Sequence, residues 1–438
     1  MFFIDSLSSF LFRSAKNISI VFVVAIFLVS CSHLQGGSGG GGYHIANRNN
    51  APSAEKKPYV LLISIDGYRH DYTDRYKPKH LLRIRNKGSF ATSLRPTFPS
   101  KTFPNHYSIV TGLHAGRHGI VDNKFYSPNL QQDYRLNKKE SVQEGRFYGG
   151  APIWVVAEKQ NMLTASYFWP GSEAEIQGER PTYYYNYDHH RSHKARVHQV
   201  IQWFSLPEER RPHFVTLYFS DVDSAGHKHG VNSSELQAAI TKVDESLGGL
   251  LEKLEALPIS VNVVIVSDHG MMDTNLEKVD YLSDYLTEKD LENVRFFESS
   301  TQVSLYVPSK KQRDSLYKKL KFDSLGARFQ VYKKEEMADP WHFSEHDSVP
   351  DILVVAKPPY SVCVQKGCRV PKGSHGYDPY KYRSMHGILY VYGPNFVRGK
   401  RVPTVSNVDI YPQLLKILDL DQMGKIDGQD EALRALVK

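Results

Sequence analysis

Asp66, Thr102, Asp223, His227, Asp268, His269 and His375 are the residues whose types and spacing best suit chemistry in this chain. Coming from five separate fragments, they supply enough carboxylate, imidazole and hydroxyl donors for two divalent cations, and carboxylate oxygen and imidazole nitrogen are good zinc ligands. A hydroxyl among such donors adds a nucleophile, because a neighbouring cation lowers its pKa. Together these parts suit displacement at a phosphoester.

Asp223 and His227 lie four apart, which places them on one face if the segment is helical. Gly226 leaves a tight loop equally open. Asp268 and His269 offer an oxygen and a nitrogen at one point of the chain. Thr102 stands in Pro99-Ser100-Lys101-Thr102-Phe103-Pro104-Asn105-His106. Pro104 suits the first turn of a helix, so the Thr102 hydroxyl is expected at or near a helix N-terminus, where backbone amides favour anions. Taken singly, each residue has a plainer use: a threonine can cap a helix, and a strand-end aspartate is a common turn residue. Among the 19 histidines, His114 with His118 and His342 with His346 repeat the four-residue spacing without any such context.

The elements that position these residues can be read from hydrophobic runs. Residues 59–65 form a continuous apolar run that stops at Asp66-Gly67, residues 213–219 lead to Asp221 and Asp223, and residues 261–266 lead through Ser267 to Asp268. Unbroken runs of this length are the mark of strands buried on both faces of a parallel sheet. Residues 351–355 and 388–392 read as further strands, and residues 233–254 and 408–418 carry helical patterns. Alternating strand and helix predicts an α/β fold with a doubly wound, mostly parallel central sheet and helices on both faces. Ligands of such sheets gather at the carboxyl ends of the strands, where the aspartates stand. Residues 271–350 are richer in charge and less periodic, and read as an inserted cap on one catalytic domain spanning residues 58–438.

The 438 residues, 41% hydrophobic and 23% charged, suit a folded body rather than a disordered chain. Residues 1–30 read separately as a lipoprotein signal peptide: Arg13 and Lys16 precede a short apolar run that ends at Leu28-Val29-Ser30-Cys31. Cys31 is the expected lipid-anchored residue, and residues 31–57, with their glycine-rich stretch, read as a flexible tether. Export permits Cys363 and Cys368 to pair as a local disulfide. The formal charge of +8 is modest for this length, and no dense basic run interleaved with aromatics occurs, so no specific nucleic-acid partner is expected.

With these fragments in view, the chain from about residue 58 onward resembles bacterial nucleotide pyrophosphatase/phosphodiesterases of the alkaline phosphatase superfamily. The densest likeness runs through Lys101-Thr102-Phe103-Pro104-Asn105-His106-Tyr107-Ser108-Ile109-Val110-Thr111-Gly112. It continues in His118-Gly119-Ile120-Val121-Asp122-Asn123-Lys124, Phe168-Trp169-Pro170-Gly171-Ser172, Asp223 to His227, Ser267-Asp268-His269-Gly270 and His375-Gly376-Tyr377-Asp378.

The resemblance implies two Zn2+ ions, one held by Asp66, Thr102, Asp268 and His269, the other by Asp223, His227 and His375. It also selects His375 over His386, which spacing alone does not. Thr102 is then the nucleophile, forming a phosphothreonine, and Asn123 contacts a non-bridging phosphate oxygen. Phe103 and Tyr187 match positions that sandwich a nucleobase, with Trp169 and Lys124 beside the substrate. The expected substrates are nucleotides such as ATP, NAD or dinucleoside polyphosphates, and the product a nucleoside 5'-monophosphate. Relatives that cleave lysophospholipids shorten the segment corresponding to residues 123–154, which is full length here. The alternatives are a phosphodiesterase on lysophospholipid-like or other diesters, or a phosphomonoesterase or sulfatase of the same superfamily, although in the last two serine or a modified residue usually stands in place of Thr102. The expected location is an exported bacterial lipoprotein on the outer membrane, facing the periplasm or cell surface.

Overall fold

The structure is a computed structural model and describes residues 42–438 except 324, 325 and 338. The expected signal peptide and Cys31 lie outside the described residues.

Nine strands form the central sheet, in the order Gly42–His44, Tyr183–Tyr185, Thr164–Tyr167, Phe214–Phe219, Tyr59–Ile65, Val261–Val266, Leu389–Tyr392, Ser89–Ala91 and Arg401–Val402. The five strands from Tyr183–Tyr185 to Val261–Val266 are mutually parallel. Antiparallel pairing enters at Gly42–His44 on one side and at Leu389–Tyr392 on the other. Side-chain alternation in Tyr59–Ile65 shows why the run is apolar throughout. Val60 and Leu62 enter a core layer shared with the helices Thr102–Thr111 and Ile410–Leu418. Leu61, Ile63 and Ile65 enter the opposite layer with His193–Phe204 and Ser234–Glu255. A fully buried leucine or isoleucine contributes about 2 kcal/mol by leaving water, so both faces of this strand are strongly specified. The expected doubly wound α/β arrangement is what the chain adopts.

Ser234–Glu255 begins where Ser233 accepts a hydrogen bond from the Leu236 amide, the N-cap arrangement that satisfies a free first-turn donor.

Two regions depart from expectation. Residues 42–57 fall within the expected flexible tether, yet Gly42–His44 pairs with Tyr183–Tyr185 and Tyr43 stacks on Tyr184 at 4.9 Å. Pro52–Glu55 is a short helix. The polar composition of this stretch hides a strand whose partners lie far along the sequence.

The second departure is Ile352–Ala356, expected in the central sheet. It instead joins a separate antiparallel sheet in the order Arg295–Glu298, Gln302–Tyr306, Ile352–Ala356, Phe329–Lys333. All five of its residues are buried, so its pattern matches that of a parallel core strand. This small sheet has its own apolar core, including Leu282, Val303, Leu316 and Val354, and forms the cap. Cys363, at the end of the strand Ser361–Cys363, forms a disulfide with Cys368.

Candidate active site

All seven predicted donors converge at the carboxyl ends of the central strands. Asp66 follows Tyr59–Ile65 directly, and Asp268-His269 follow Val261–Val266 by one residue. Asp223 and His227 sit on the helix Asp221–His229, which settles the helix-or-loop alternative in favour of the helix. Gly67 lets the first and third of these elements meet. Its φ is +68°, and a Cβ there would lie 2.9 Å from the Asp223 Cα. Thr102 is the first residue of Thr102–Thr111, as Pro104 suggests. His375 follows the two-residue strand Gly373–Ser374, paired with Met272–Asp273.

The donor atoms form two adjoining groups. His269 Nε2 lies 2.9 Å from Asp268 Oδ2, 3.5 Å from Asp66 Oδ1 and 3.3 Å from Thr102 Oγ1. In the other group His227 Nε2 is 3.4 Å from Asp223 Oδ1 and 3.1 Å from His375 Nε2, which is itself 3.6 Å from Asp223 Oδ1. Asp223, His269 and His375 also bring donor atoms within 4.8 Å of one another, so the groups abut at His269. The His269 and His375 rings stack there at 3.6 Å.

Surrounding groups orient each donor. The Nδ1 atoms of His227, His269 and His375 bond the carbonyls of Gly373, Gly270 and Ser100 at 2.8, 2.9 and 2.7 Å. A carbonyl only accepts, so each Nδ1 carries the proton and each Nε2 presents a lone pair to the cluster. The carboxylates follow the same logic. Tyr218 Oη donates to Asp66 Oδ2 at 2.5 Å, and the Gly67 amide donates to Asp268 Oδ1 at 3.2 Å. The oxygens left over, Asp66 Oδ1, Asp268 Oδ2 and Asp223 Oδ1, are buried with no hydrogen-bond partner among the described residues.

Burial, and then the facing carboxylates of Asp268 and Asp223, push the Asp66 pKa well above the usual carboxylate range. Asp268 is pushed up by burial and by Asp223. Burial, joined by the neighbouring imidazoles and Lys101, holds His375 well below its ordinary value. Three orphaned carboxylate oxygens facing three imidazole lone pairs are costly to bury unless cations join them. The residues present therefore fit divalent metal ions.

Beside this cluster a cleft of about 350 Å³ is lined by Thr102, Phe103, Asn123, Trp169, Tyr187 and Tyr218, among others. Asn123 Oδ1 accepts from the Phe103 amide at 2.9 Å, which fixes the side-chain amide and turns Nδ2 away as a donor. Tyr187 is 48% exposed at the mouth and meets Phe168 edge-on at 5.1 Å. Tyr183, Tyr184 and Tyr185, by contrast, lie in a strand of the central sheet. Trp169 lines the cleft but is buried, its Nε1 donating to the His106 carbonyl at 3.0 Å. Lys124 does not line this cleft. It is exposed on the wall of an adjoining cavity.

Sequence reasoning missed Tyr218, which reads as one more core aromatic in a fully buried strand. It also missed Lys101, whose Nζ donates to Thr301 Oγ1 and the His375 carbonyl, both at 3.0 Å. The motif around Thr102 contained Lys101, but nothing in it signalled a link to the cap. Glu173 lines the cleft as well, accepting from the Tyr187 amide at 2.7 Å and from Gln143 Nε2 at 3.2 Å.

A family model described as type I phosphodiesterase / nucleotide pyrophosphatase matches residues 60–378. Ectonucleotide pyrophosphatase/phosphodiesterase family member 1 of Rattus norvegicus is 34% identical over 378 residues, covering 84% of this chain and 42% of the rat protein. Venom phosphodiesterase CdcPDE of Crotalus durissus collilineatus is 32% identical over 403 residues, covering 88% of this chain and 47% of its own. The chain thus spans less than half the length of these relatives. Among solved structures, murine ectonucleotide pyrophosphatase/phosphodiesterase 5 aligns with a TM-score of 0.81 at 29% identity, covering 87% of this chain and 100% of that one. That structure is an inactive threonine-to-alanine variant in complex with AMP.

Proposed function

The chain belongs to the type I phosphodiesterase / nucleotide pyrophosphatase family, and from that premise we propose that it hydrolyses nucleotide phosphodiester or pyrophosphate bonds through a phosphothreonine on Thr102, releasing a nucleoside 5'-monophosphate. The observation that carries this reading is the placement of Thr102 Oγ1. It stands 3.3 Å from His269 Nε2, at the first residue of a helix and at the edge of an aromatic-lined cleft. The inactive, AMP-bound threonine variant of the murine relative supports the choice of residue and of ligand class.

Asp66, Asp268, His269 and Thr102 would hold one zinc ion, and Asp223, His227 and His375 a second, a mix of oxygen and nitrogen donors that suits this metal. Bound there, the cations supply Lewis-acid stabilisation of phosphate charge and a lower pKa for the Thr102 hydroxyl. Thr102 Oγ1, its proton given up to water, forms the new bond to phosphorus as the bond to the leaving oxygen breaks. The positive end of the helix Thr102–Thr111, where the Phe103 amide is already committed to Asn123 Oδ1, favours the anionic phosphate. Asn123 Nδ2, held by the contact of Oδ1 with the Phe103 amide, donates to a non-bridging oxygen, whose charge grows in the transition state. Water then attacks the phosphothreonine, the Thr102 Oγ1–phosphorus bond breaks, and a proton returns to the threonine. Phe103 and Tyr187 offer faces for a base, a contact tolerant of base identity.

Product analysis on ATP, NAD and diadenosine tetraphosphate with zinc present tests the proposal. AMP and pyrophosphate from ATP are expected. Orthophosphate release from ATP, or faster turnover of p-nitrophenyl phosphate or p-nitrophenyl sulfate, would sink it.

Cellular placement is part of the same reading. We propose an exported bacterial lipoprotein tethered to the outer membrane through acylated Cys31, supported by the pattern of residues 13–31. Among the described residues no helix is long and apolar enough to cross a membrane. Cys31→Ser should move the protein from the membrane to the soluble fraction, and an unchanged distribution would refute the anchor.

A further inference from the structure

A second cavity, of about 410 Å³, shares Asn123, Leu136, His227 and His375 with the catalytic cleft and opens between the central domain and the cap. Its walls carry Lys101, Lys124 and Arg369 together with Asp122 and Glu298. The acids are engaged: Asp122 Oδ1 accepts from the Asn123 amide at 2.6 Å, and Glu298 Oε2 from the Val364 amide at 2.9 Å. Two of the three hydrogen bonds that Lys101 Nζ can donate are likewise committed, to Thr301 Oγ1 and the His375 carbonyl. Lys124 and Arg369 are exposed and, among the described residues, make neither a salt bridge nor a side-chain hydrogen bond. Ser299 Oγ, also on this wall, has no hydrogen-bond partner among the described residues.

Arg369 does not sit on a loose loop. It directly follows the disulfide between Cys363 and Cys368. The strand Ser361–Cys363 pairs with Val279–Tyr281, and the Val362 amide donates to the Ser300 carbonyl at 2.8 Å. The cap thus presents one cation to the cavity, and the central domain presents another at Lys124.

We propose that this cavity receives an anionic leaving group, the pyrophosphate or polyphosphate portion of the substrate, with Arg369 and Lys124 as its charge partners. The inference rests on the nucleotide reading above and extends it to the far side of the scissile bond. In-line attack expels the leaving group opposite Thr102 Oγ1. Thr102 belongs to the donor group of His269, so departure is directed toward His227 and His375, the two histidines that the cavities share. A guanidinium suits such a group because its planar fork matches phosphate oxygens two at a time.

The test compares two substrates that yield the same TMP but differ in leaving group, dTTP and p-nitrophenyl-TMP, on the full-length protein. Arg369→Ala and Lys124→Ala should each lower the ratio of kcat/KM for dTTP over p-nitrophenyl-TMP by roughly tenfold, as expected for loss of a charge-assisted contact. Arg369→Lys should recover part of that ratio. Inhibition by pyrophosphate should weaken in the same variants while inhibition by TMP holds. An unchanged ratio with unchanged pyrophosphate inhibition overturns the cavity's role and leaves the nucleotide reading intact. Wild-type protein that cleaves neither substrate overturns both. Both side chains are exposed, so these substitutions leave the folded core untouched.

Discussion

The Nε2 atoms of His227 and His375 face each other at 3.1 Å while each ring's Nδ1 proton is spent on a backbone carbonyl. Two lone pairs at that distance repel, and so do the orphaned oxygens of Asp66, Asp223 and Asp268 around them. Only a shared positive charge makes the arrangement favourable.

Metal removal should therefore cost stability as well as activity. Chelation is expected to lower the thermal midpoint, and a cation present at a thousand times its Kd restores about 4 kcal/mol. Calorimetry with elemental analysis should find two zinc ions per chain in active protein. A midpoint indifferent to chelator would show that the donor cluster is stable as it stands.

Tyr218→Phe isolates one orienting contact. It removes the hydroxyl that donates to Asp66 Oδ2 and keeps the ring in its buried strand. Partners one step behind a ligand typically set metal affinity by 10- to 100-fold, roughly, and the same loss is expected here. Competitive zinc titration reads it directly. Unchanged affinity would mean that Asp66 is held by the strand end alone.

Why Tyr218 escaped sequence reasoning while Asp66 did not is a matter of where each residue shows its role. Asp66 and Asp268 each end a buried apolar run, a break in pattern that can be seen locally. Tyr218 continues such a run and becomes polar machinery only through a neighbouring strand. His375 follows a strand of two residues, too short to leave a pattern, and reaches the cluster through its bond to the Ser100 carbonyl. Family resemblance was needed to choose it over His386. His386 instead bridges Ser93 Oγ and the Pro379 carbonyl at 2.9 and 2.8 Å. The strand Ile352–Ala356 was legible as a strand but not as part of the cap, because burial on both faces looks alike in either sheet. Gly42–His44 was hidden for a related reason: three half-buried residues acquire their structure from Tyr183–Tyr185, far away in sequence.

His386 also sets a pH dependence. Burial lowers its pKa to about 4, even though its bond to the Pro379 carbonyl works the other way. Burial lowers His213 to about 4 as well. A folded-state value below the unfolded one means that the unfolded chain binds the extra proton. The stabilising contribution is thus full above about pH 6.5 and is lost as pH falls toward 4. Each ring accounts for about 3 kcal/mol across that window, to order of magnitude. Denaturant unfolding of metal-free protein between pH 7.5 and 4.5 should show the decline, with a shallower slope in His386→Gln. An equal slope in that variant would place the acid sensitivity elsewhere.

Thr102 and Asn123 should separate chemistry from binding. Thr102→Ala removes the proposed nucleophile at the first residue of its helix and leaves the Asn123 contact and the aromatic cleft in place, so AMP should still bind while kcat falls by roughly a thousandfold or more. Thr102→Ser keeps a hydroxyl in the same place and should retain activity within about tenfold. Acid quenching during turnover should trap phosphate on the peptide containing Thr102 in the parent and on none in the alanine variant. Asn123→Ala removes both the donor on Nδ2 and the acceptor that fixes the Phe103 amide, and should lower kcat by roughly 100-fold with zinc content unchanged. Asn123→Asp discriminates further. It preserves the acceptor toward Phe103 but places a negative charge where phosphate charge develops, so it should be at least as damaging as alanine. Activity near the parent level in that variant would show that Asn123 positions Phe103 and makes no contact with the reacting phosphate.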